Sequence, residues 1–580
     1  MWPATLRARM PPSKTKDPSP IGDPPPSKRR AIISLPQRLR VLMAVFELVI
    51  ALLFVGALLA AGARRVNAPY PAALALAGAA LALLPNAPVV TLDPQLALTL
   101  FVAPVLLDAA FDSSPRDLKR NWRAVTGLAI VAVGLTVGAV ALVARWLVPD
   151  LPWPAAIALG AIVAPPDAAA ASAVLRQLRP PHRVLVILEG ESLFNDASAL
   201  LIYRLAVAAA VTGSFSGWHV APMLLVVSLG SIVLGAILSR VTLAAIRGVR
   251  DLATSVLLQF LSTFAVWMIA ERLGLSGIIT VVAYAILIAR IAPDQMPARM
   301  RIRSYAVWEV VVFVLNVLAF ILVGLQLKPL LQRLDRPDLI SYAVTAAAVT
   351  ATVILVRIVW VMGYAAVGSW ILRHTGIGRH RPVRYPSFRA ATVIAWCGMR
   401  GIVTLAAALA LPDGVHGPVA FPYRDLLLFT AFSVVVGTLV LQGLTVSPLM
   451  GALALEDDGS VEREVQLALA ETTRAALDAL AGAAGEEEMV TLLRREYETR
   501  LRLAEAGPGA AETGDGGGDY AAAQRRAQDA QRRILSELRA QGVIGDDAFH
   551  RVEEELDWAE VSAEVGATSP PPAARIPHSP

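Results

Sequence analysis

Several polar side chains lie inside one long apolar stretch of the sequence, between residues 184 and 210. The stretch is long enough to cross a lipid bilayer as a helix, yet it contains Glu189, Glu191, Asn195, Asp196 and Arg204. A charged side chain near the centre of a membrane helix costs about 2.5–3.5 kcal/mol, so these carboxylates are tolerable only where they face protein or water and compensate one another. The pattern favours an ion pathway, and a purely structural ion-pair network is the alternative.

In a helix with about 3.6 residues per turn, these side chains divide between two faces. Glu189, Ser192 and Asp196 share one face, whereas Glu191 and Asn195 share another. Hydroxyl, amide and carboxylate groups together offer more oxygen atoms than a salt bridge needs, so we expect one face to hold a cation. The other face is expected to hold the helix in register with its neighbours.

A second apolar stretch, at residues 153–175, is interrupted by Pro165, Pro166 and Asp167. Each proline removes a backbone donor and clashes with the preceding turn, so a break in the helix is predicted in mid-membrane. Such a break frees backbone carbonyls beside the Asp167 carboxylate, and together these oxygens form the kind of ion site that broken membrane helices provide. The alternative is a simple proline kink in which Asp167 pairs with a neighbouring donor.

A third stretch, at residues 390–411, carries Arg400 between Gly398 and Gly401. An arginine inside the membrane needs a compensating carboxylate, and Glu191 is the predicted partner. The two glycines allow another helix to approach closely at this point. Neutralisation of surplus acidic charge is a compatible role for Arg400.

The composition predicts an all-α polytopic membrane protein. The 580 residues are 56% hydrophobic, and the apolar residues form repeated runs of about 20 residues. The single cysteine, Cys397, excludes an internal disulfide and any metal site built from several cysteines. Thirteen transmembrane spans are predicted, at residues 41–61, 71–85, 94–111, 124–148, 153–175, 184–211, 220–239, 253–270, 276–289, 304–327, 339–372, 390–411 and 425–447.

The sequence divides into three predicted domains. Residues 1–38 are rich in proline and charge and are expected to form a disordered arm, and residues 39–455 form the transmembrane domain. Residues 456–580 contain 26 acidic and 13 basic residues, so an acidic tail follows a basic membrane body. The amphipathic segments of the tail predict helical hairpins with a glycine-rich joint, without a phosphate loop, metal cluster or nucleotide motif. Regulation, support of a dimer and passive solubilisation are the alternative roles.

Lysine and arginine residues are unevenly distributed among the loops. Loops that follow odd-numbered spans contain 21 of these residues, and loops that follow even-numbered spans contain 5. By the positive-inside rule, the odd loops and the C-terminal tail are expected to be cytoplasmic and the N-terminus to lie outside. The basic N-terminal arm conflicts with this orientation, and translation that begins near Met43 would remove the conflict.

Three segments, APPDAAAASAVL, LEGESLFNDASAL and WCGMRGIVTLAAALALP, occur in this order. Together they resemble the monovalent cation:proton antiporters of the bacterial and archaeal sodium/proton exchanger family, which is related to the animal plasma-membrane exchangers. The resemblance covers roughly residues 43–455. It implies two inverted repeats, with two crossed broken helices in a mobile core domain beside a dimerisation domain.

The resemblance also implies a role for each residue of the motifs. Asp196 matches the essential carboxylate that binds either the cation or the proton. Asn195 matches the asparagine that stands, in the electroneutral branch of the family, where electrogenic relatives have a second aspartate. Ser192 and Asp167 match two further cation ligands. Glu191 matches a water-linked or structural acid, and Arg400 matches the ionic partner of that acid.

The sequence departs from the family pattern on the first broken helix. The family commonly has Thr-Asp-Pro there, whereas this chain has Pro166, Asp167 and Ala168. The threonine hydroxyl is lost, and Pro166 offers only its backbone carbonyl as a cation ligand. The departure therefore bears on ion preference more than on ion transport itself.

The expected activity is exchange of Na+, or alternatively K+ or Li+, for H+ across the plasma membrane, in the service of pH and Na+ homeostasis. The expected protein is a homodimer in the lipid bilayer, with no cofactor, no enzymatic activity and no nucleic-acid partner. An ion channel, which needs a continuous pore, and an intramembrane aspartyl enzyme, which needs two carboxylates that share a proton, are the alternatives. Glu47, Asp108 and Glu309 are weaker site candidates, because lone carboxylates near span ends are more often structural.

Overall fold

The structure is a computed structural model of the whole chain. The residues that it describes are 35–65, 68–85, 90, 93–167, 170–172, 175, 178, 180–212, 217–249, 251–295, 298–332, 336–375, 386–413, 421–455, 457–481, 491, 494–498, 501 and 518–568. Most of the predicted N-terminal arm and the glycine-rich joint of the tail lie outside these residues. Residues 1–52 form a unit of their own, and all packing below concerns the unit from Leu53 onward.

Helices account for the architecture of the described residues. In chain order they are α1 (Leu35–Arg65), α2 (Tyr70–Ala82), α3 (Pro94–Asp112), α4 (Pro115–Leu147), α5 (Trp153–Val163), α6 (His182–Thr212), α7 (Gly217–Ile246), α8 (Leu252–Arg272), α9 (Gly277–Gln295), α10 (Ala298–Leu325), α11 (Arg336–Thr375), α12 (Phe388–Trp396), α13 (Ile402–Leu409), α14 (Arg424–Leu453), α15 (Ser460–Ala481), α16 (Gly518–Ala540) and α17 (Asp546–Thr568). A single helical turn, Leu327–Leu331, follows α10.

The helices of the membrane body match the predicted spans in order and position. Nine helices of the described residues are long and apolar enough to cross a membrane, and three shorter apolar helices are α2, α5 and the apolar part of α9. The half-helices α12 and α13 lie where the twelfth span is predicted. The prediction of an all-α polytopic membrane protein is confirmed, while the exact number of thirteen spans stays a prediction.

Local sequence signals begin several of these helices. Asp93 accepts a hydrogen bond from the Leu96 amide at 2.8 Å, and Pro94 follows as the first helical residue of α3. Ser387 accepts from the Ala390 amide at 3.2 Å and begins α12 in the same way. A side-chain oxygen satisfies an amide that has no partner within the helix, so each cap fixes where its helix enters the bundle.

The membrane helices pack in two groups. The site group consists of α4, α5, α6 and α11–α14, and the flanking group consists of α2, α3 and α7–α10. Within the site group, α4–α6 and α11–α14 each place a broken helix between two long helices. Since consecutive spans alternate in direction and α11 is seven spans after α4, the two units are inverted relative to one another.

Close contact between α4 and α5 depends on a glycine. A Cβ atom at Gly160 would lie 2.6 Å from the Val137 carbonyl oxygen, so no larger residue fits without a backbone shift. In α4, one wider π-helical turn at Gly127–Ala132 leaves the Ala129 carbonyl oxygen able to accept a 2.6 Å hydrogen bond from the Ser198 hydroxyl of α6. These contacts fix α6 and the first broken helix against α4.

Candidate ion-binding site

Two broken helices meet at the centre of the site group. Helix α5 ends at Val163, residues 164–167 are not helical, and helical structure resumes at residue 170. Helix α12 ends at Trp396, and α13 begins at Ile402 after a second non-helical segment at residues 397–401. The two segments contact each other, since the Asp167 amide donates a 2.7 Å hydrogen bond to the Met399 carbonyl oxygen. The prediction of two crossed broken helices is confirmed.

The Asp167 side chain lies directly against the second break. A Cβ atom at Gly401 would lie 1.5 Å from Asp167 Oδ2, so only glycine leaves room for the carboxylate in this position. The Asp167 side chain is half-buried. Asp167 therefore lies at the break, as the sequence predicts, and its role as a cation ligand stays a prediction.

Arg400 is buried and binds the ends of both half-helices. Its guanidinium donates to the carbonyl oxygens of Val163 at 3.0 Å, Ala164 at 3.1 Å, and Gly398, and its amide donates to Thr438 Oγ1 at 3.0 Å. The last carbonyls of a helix have no partner within the helix and carry partial negative charge. The positive charge of Arg400 therefore compensates the two helix termini that meet at the crossing.

The ionic partner of Glu191 is Arg357 of α11, and the predicted direct pair with Arg400 is wrong. Both guanidinium Nη atoms of Arg357 donate to the two carboxylate oxygens of Glu191, and the Nη2–Oε2 distance is 2.8 Å. The same guanidinium donates to the Ile394 carbonyl oxygen from Nε at 3.2 Å and from Nη2 at 3.0 Å. Glu191 is 1% exposed and Arg357 4%, so the pair is fully enclosed. The physical reason is that backbone carbonyls already occupy the Arg400 guanidinium.

Arg357 carries the same sequence signal that drew attention to Arg400. It stands in the apolar segment VILVRIVWV of the predicted eleventh span, and an ionisable residue in such a position is by default functional or paired. An ionisable residue inside an apolar span is the criterion that singles out Glu191 and Arg400, and it also identifies Arg357. This criterion does not decide which of the two arginines pairs with Glu191.

Asn195 and Asp196 face the first break. The Asn195 amide group donates to the Pro166 carbonyl oxygen at 3.0 Å, and Asn195 Oδ1 is buried without a hydrogen-bond partner among the described residues. The Asp196 side chain is buried, and its negative charge is repelled by that of Asp167. An unpartnered amide oxygen and two mutually repelling carboxylates are oxygen donors that a monovalent cation would satisfy.

The other predicted ligands are placed as follows. Ser192 is half-buried one turn before Asp196 on α6, as the helical spacing predicts. The Pro166 carbonyl oxygen accepts from Asn195, and a carbonyl oxygen has a second lone pair for another donor or cation. Glu191 lies one turn before Asn195 on α6, and its carboxylate is bound to Arg357, so its oxygen atoms are already held in an ion pair.

This arrangement can bind either a small cation or a proton at one place. A carboxylate that is buried near a second carboxylate is neutralised either by a proton or by a cation, and both cannot occupy the same oxygen atoms. Within the described ranges, no cluster of three or more His, Cys, Asp or Glu side chains is suited to a tightly held metal ion.

Two comparisons with known sequences match most of the chain. The family model described as sodium/hydrogen exchanger, transmembrane, matches residues 49–452. An uncharacterized Na+/H+ exchanger of Mycobacterium tuberculosis is 31% identical over 529 residues, which cover 90% of this chain and 96% of that protein. A sodium, potassium, lithium and rubidium/H+ antiporter of Bacillus pumilus is 31% identical over 458 residues, which cover 75% of this chain and 66% of that protein.

A solved structure has the same fold. The sodium proton antiporter MjNhaP1 from Methanocaldococcus jannaschii, determined at pH 8, superposes with a TM-score of 0.53 and 19% sequence identity. The match covers 71% of this chain and 98% of that chain. At this identity the likeness concerns the fold alone.

Proposed function

Because this chain belongs to the sodium/hydrogen exchanger family, we propose that it exchanges Na+ for H+ by alternating access, with Asp196 as the shared binding group. The observation that carries the proposal is the set of oxygen atoms at the helix crossing. Asn195 Oδ1 has no hydrogen-bond partner in the described part of the chain, and the side chain of the next residue, Asp196, is buried. A buried acceptor without a partner is costly, and a bound cation removes that cost.

In the cation-bound state, the Asp196 carboxylate is ionised and Asn195 Oδ1 supplies a second oxygen. Ser192 and Asp167 are the next donors within the same region, and the Pro166 carbonyl completes the set in this proposal. When a proton binds Asp196, the carboxylate loses its charge and becomes a hydrogen-bond donor, so the cation leaves. Proton and cation therefore compete for one group, and each weakens the apparent affinity of the other.

Two arginines hold the crossing in place while the ion changes. The Glu191–Arg357 pair joins α6 to α11 and to the end of α12, and Arg400 joins the ends of α5 and α12. None of these three side chains needs to change its charge during the cycle. Their proposed role is structural, because breaking a buried ion pair leaves an uncompensated charge.

Access to the site would alternate by movement of the site group against the flanking group. All the proposed ligands lie on α6 and on the break after α5, which belong to the site group. The ligand set can therefore move as one body past α3 and α8–α10. Broken helices allow this because their free carbonyls are already satisfied within the site group.

The preferred cation is proposed to be Na+, with Li+ and K+ as the alternatives. Pro166 offers a carbonyl where the family commonly has a threonine, so the site has one fewer hydroxyl with which to select a small cation. The Bacillus pumilus relative bears a name that includes sodium, potassium, lithium and rubidium. A comparison of all four alkali cations belongs in the same assay.

The proposed setting is a homodimer in the plasma membrane with the C-terminal tail in the cytoplasm. The orientation is supported by the excess of Lys and Arg in the loops that follow odd-numbered spans, which the positive-inside rule assigns to the cytoplasm. The dimer is proposed from the family resemblance. Both parts of the proposal are tested by accessibility labelling of tail residues and by the mass of the purified protein in detergent.

Purified protein in liposomes that contain a pH-sensitive dye tests the function. Addition of Na+ to acid-loaded vesicles is expected to relieve dye quenching at a rate that saturates with Na+ concentration. An ion channel would instead carry a cation current far above any carrier turnover. Failure of Na+, Li+, K+ and Rb+ alike to drive proton movement would overturn the proposal.

A further inference from the structure

The described tail helices form a folded module, here called the C-terminal bundle, which consists of α15, α16 and α17. Val465 and Ala468 of α15 pack with Leu535 of α16 and with Phe549 and Val552 of α17 in one buried apolar cluster. The helices contact one another directly. The bundle therefore has its own core, and its position on the membrane body is a separate structural feature.

The bundle contacts the site group through charged side chains at the start of α4. The Arg116 guanidinium donates to both carboxylate oxygens of Glu464, at 2.9 and 3.0 Å. It also donates to the Val543 carbonyl oxygen at 3.0 Å. The Glu464 side chain is 27% exposed, so water competes for this contact.

A second contact reaches α6, the helix that carries Asp196. His182 is the first residue of α6, and its Nδ1 atom lies 3.1 Å from Asp547 Oδ2 of α17. Its Nε2 atom lies 3.5 Å from Asp117 Oδ2 of α4. Half of the Asp547 side chain is exposed. The bundle thus holds the end of the helix that bears the proposed carrier group.

The contact with the flanking group is different in character. Arg301 of α10 donates to Asp557 at 2.9 Å and lies 3.4 Å from Glu553, and all three side chains are at least 96% buried. The His550 ring stacks on Phe111 of α3 with a centroid distance of 5.9 Å. The flanking group therefore holds the bundle by buried contacts, whereas the site group holds it by contacts that are partly exposed.

A cavity of about 1360 Å³ lies beside the bundle, at the same end of the membrane body. It is lined by Asp108 and Glu309 of the flanking group, His182 of the site group, and Glu554 and Trp558 of the bundle. The bundle closes one side of this space.

We propose that the C-terminal bundle is a brake on transport, fixed to the flanking group and reversibly latched to the site group through Glu464 and Asp547. This inference rests on the proposed function, in which the site group moves against the flanking group. A body that holds both groups opposes that movement. Because water reaches the partly exposed latch contacts and not the buried anchor contacts, the latch is the side that releases.

The test uses the full chain in liposomes and compares the wild type with the double variant Glu464→Gln, Asp547→Asn. Two exposed ion pairs are weak, so the expected result is a maximal rate about fivefold higher with the apparent Na+ affinity unchanged. The control is Glu471→Gln, which removes an exposed carboxylate that pairs with Arg474 within α15. This control is expected to transport at the wild-type rate.

A second experiment prevents release of the latch by a covalent cross-link. Cysteines in place of Arg116 and Glu464, joined by a flexible thiol-reactive linker, are expected to stop transport, and the same cysteines without the linker are expected to permit it. The native Cys397 is buried and does not compete for the reagent. Equal rates with and without the linker, or a double variant no faster than the wild type, would overturn the brake. Absence of exchange in the wild type would instead refute the proposed function.

Discussion

Helix α6 carries two buried acidic residues in contrasting environments. Both oxygens of Glu191 receive donors from Arg357, whose guanidinium also binds the end of α12. Asp196, five residues later, is buried near the Asp167 carboxylate, and the preceding residue, Asn195, has an amide oxygen with no partner in the described structure. One acid therefore has a fixed ionic partner, whereas the other is the group that we propose to bind the transported ion.

From this difference we infer that Glu191 is structural and that Asp196 is the group that binds and releases ions. Membrane burial alone makes both residues expensive, so burial does not separate them. The number of fixed hydrogen-bond donors separates them. A carboxylate that is bound by both nitrogens of a guanidinium group cannot exchange a proton for a cation without losing that partner. The predictions below test this distinction, from the largest expected effect to the smallest.

The largest effect is expected for Asp196→Asn, which should abolish exchange. The amide keeps the shape of the side chain but can neither release a proton nor offer a negative ligand. The folded protein should persist, because the substitution removes a buried carboxylate that forms no salt bridge within the described residues. Na+-driven proton flux in liposomes measures the loss, and thermal unfolding in detergent measures the fold.

Asp150→Asn is the matched control, because it makes the same chemical change at an exposed position after α4. It should leave transport unaltered. Substantial Na+-driven flux in a folded Asp196→Asn protein would show that another group carries the ion, and the contrast with Glu191 would then be lost.

A loss of stability is expected when the pair on the other face of α6 is broken. Either Glu191→Gln or Arg357→Gln leaves an uncompensated buried charge and should destabilise the protein by about 3–5 kcal/mol. The double substitution should cost less than the sum of the two, since no unpaired charge remains. Unfolding midpoints of the three variants in one detergent measure the coupling.

The coupling between Glu191 and Arg400 is the control for the coupling between Glu191 and Arg357. Arg400 binds carbonyl oxygens, so the coupling between Glu191→Gln and Arg400→Gln should be smaller than that between Glu191→Gln and Arg357→Gln. A larger coupling with Arg400 would restore the pairing that the sequence suggested and would contradict the contacts of α11.

The order of the spans and the position of the first break could be predicted, because apolar run length and the residues Pro165 and Pro166 act locally. The second break has no proline, and only the family resemblance implied it. Asn195 and Asp196 could also be identified, since their motif is contiguous. The partner of Glu191 could not, because Arg357 lies 166 positions away and competes with Arg400 at a similar place in the inverted unit. Docking of the tail depends equally on distant pairs such as Arg116 and Glu464.

A smaller effect is expected for Gly401→Ala. The new methyl group would occupy the space of Asp167 Oδ2, so the carboxylate must rotate away from the crossing. If Asp167 helps to hold the cation, apparent Na+ affinity should fall about tenfold, which corresponds to about 1.4 kcal/mol. Gly437→Ala on α14 is the control, because its methyl group would meet only the Thr350 side chain at 3.5 Å. Unchanged affinity in a folded Gly401→Ala protein would remove Asp167 from the ligand set.

The last prediction concerns membrane voltage, which should have no effect on the transport rate of the wild type. One carboxylate, Asp196, alternately carries one proton or one monovalent cation, so each cycle moves one positive charge in each direction. Asn195 does not titrate in the accessible range, and its amide group is held by the Pro166 carbonyl. Both carboxylate oxygens of Glu191 are bound by Arg357, and Asp167 is expected to keep one protonation state.

Asn195→Asp would place a second titratable group beside Asp196 and could let a further proton move with each cycle. Na+ flux in liposomes at fixed pH, under a potential imposed with K+ and valinomycin, distinguishes the two proteins. The wild-type rate should be independent of the potential, and its apparent Na+ affinity should weaken as the pH falls and protons occupy Asp196. A wild-type rate that accelerates or reverses with the potential would mean that a second charge travels with the site, so that the proton count could not rest on Asp196 alone.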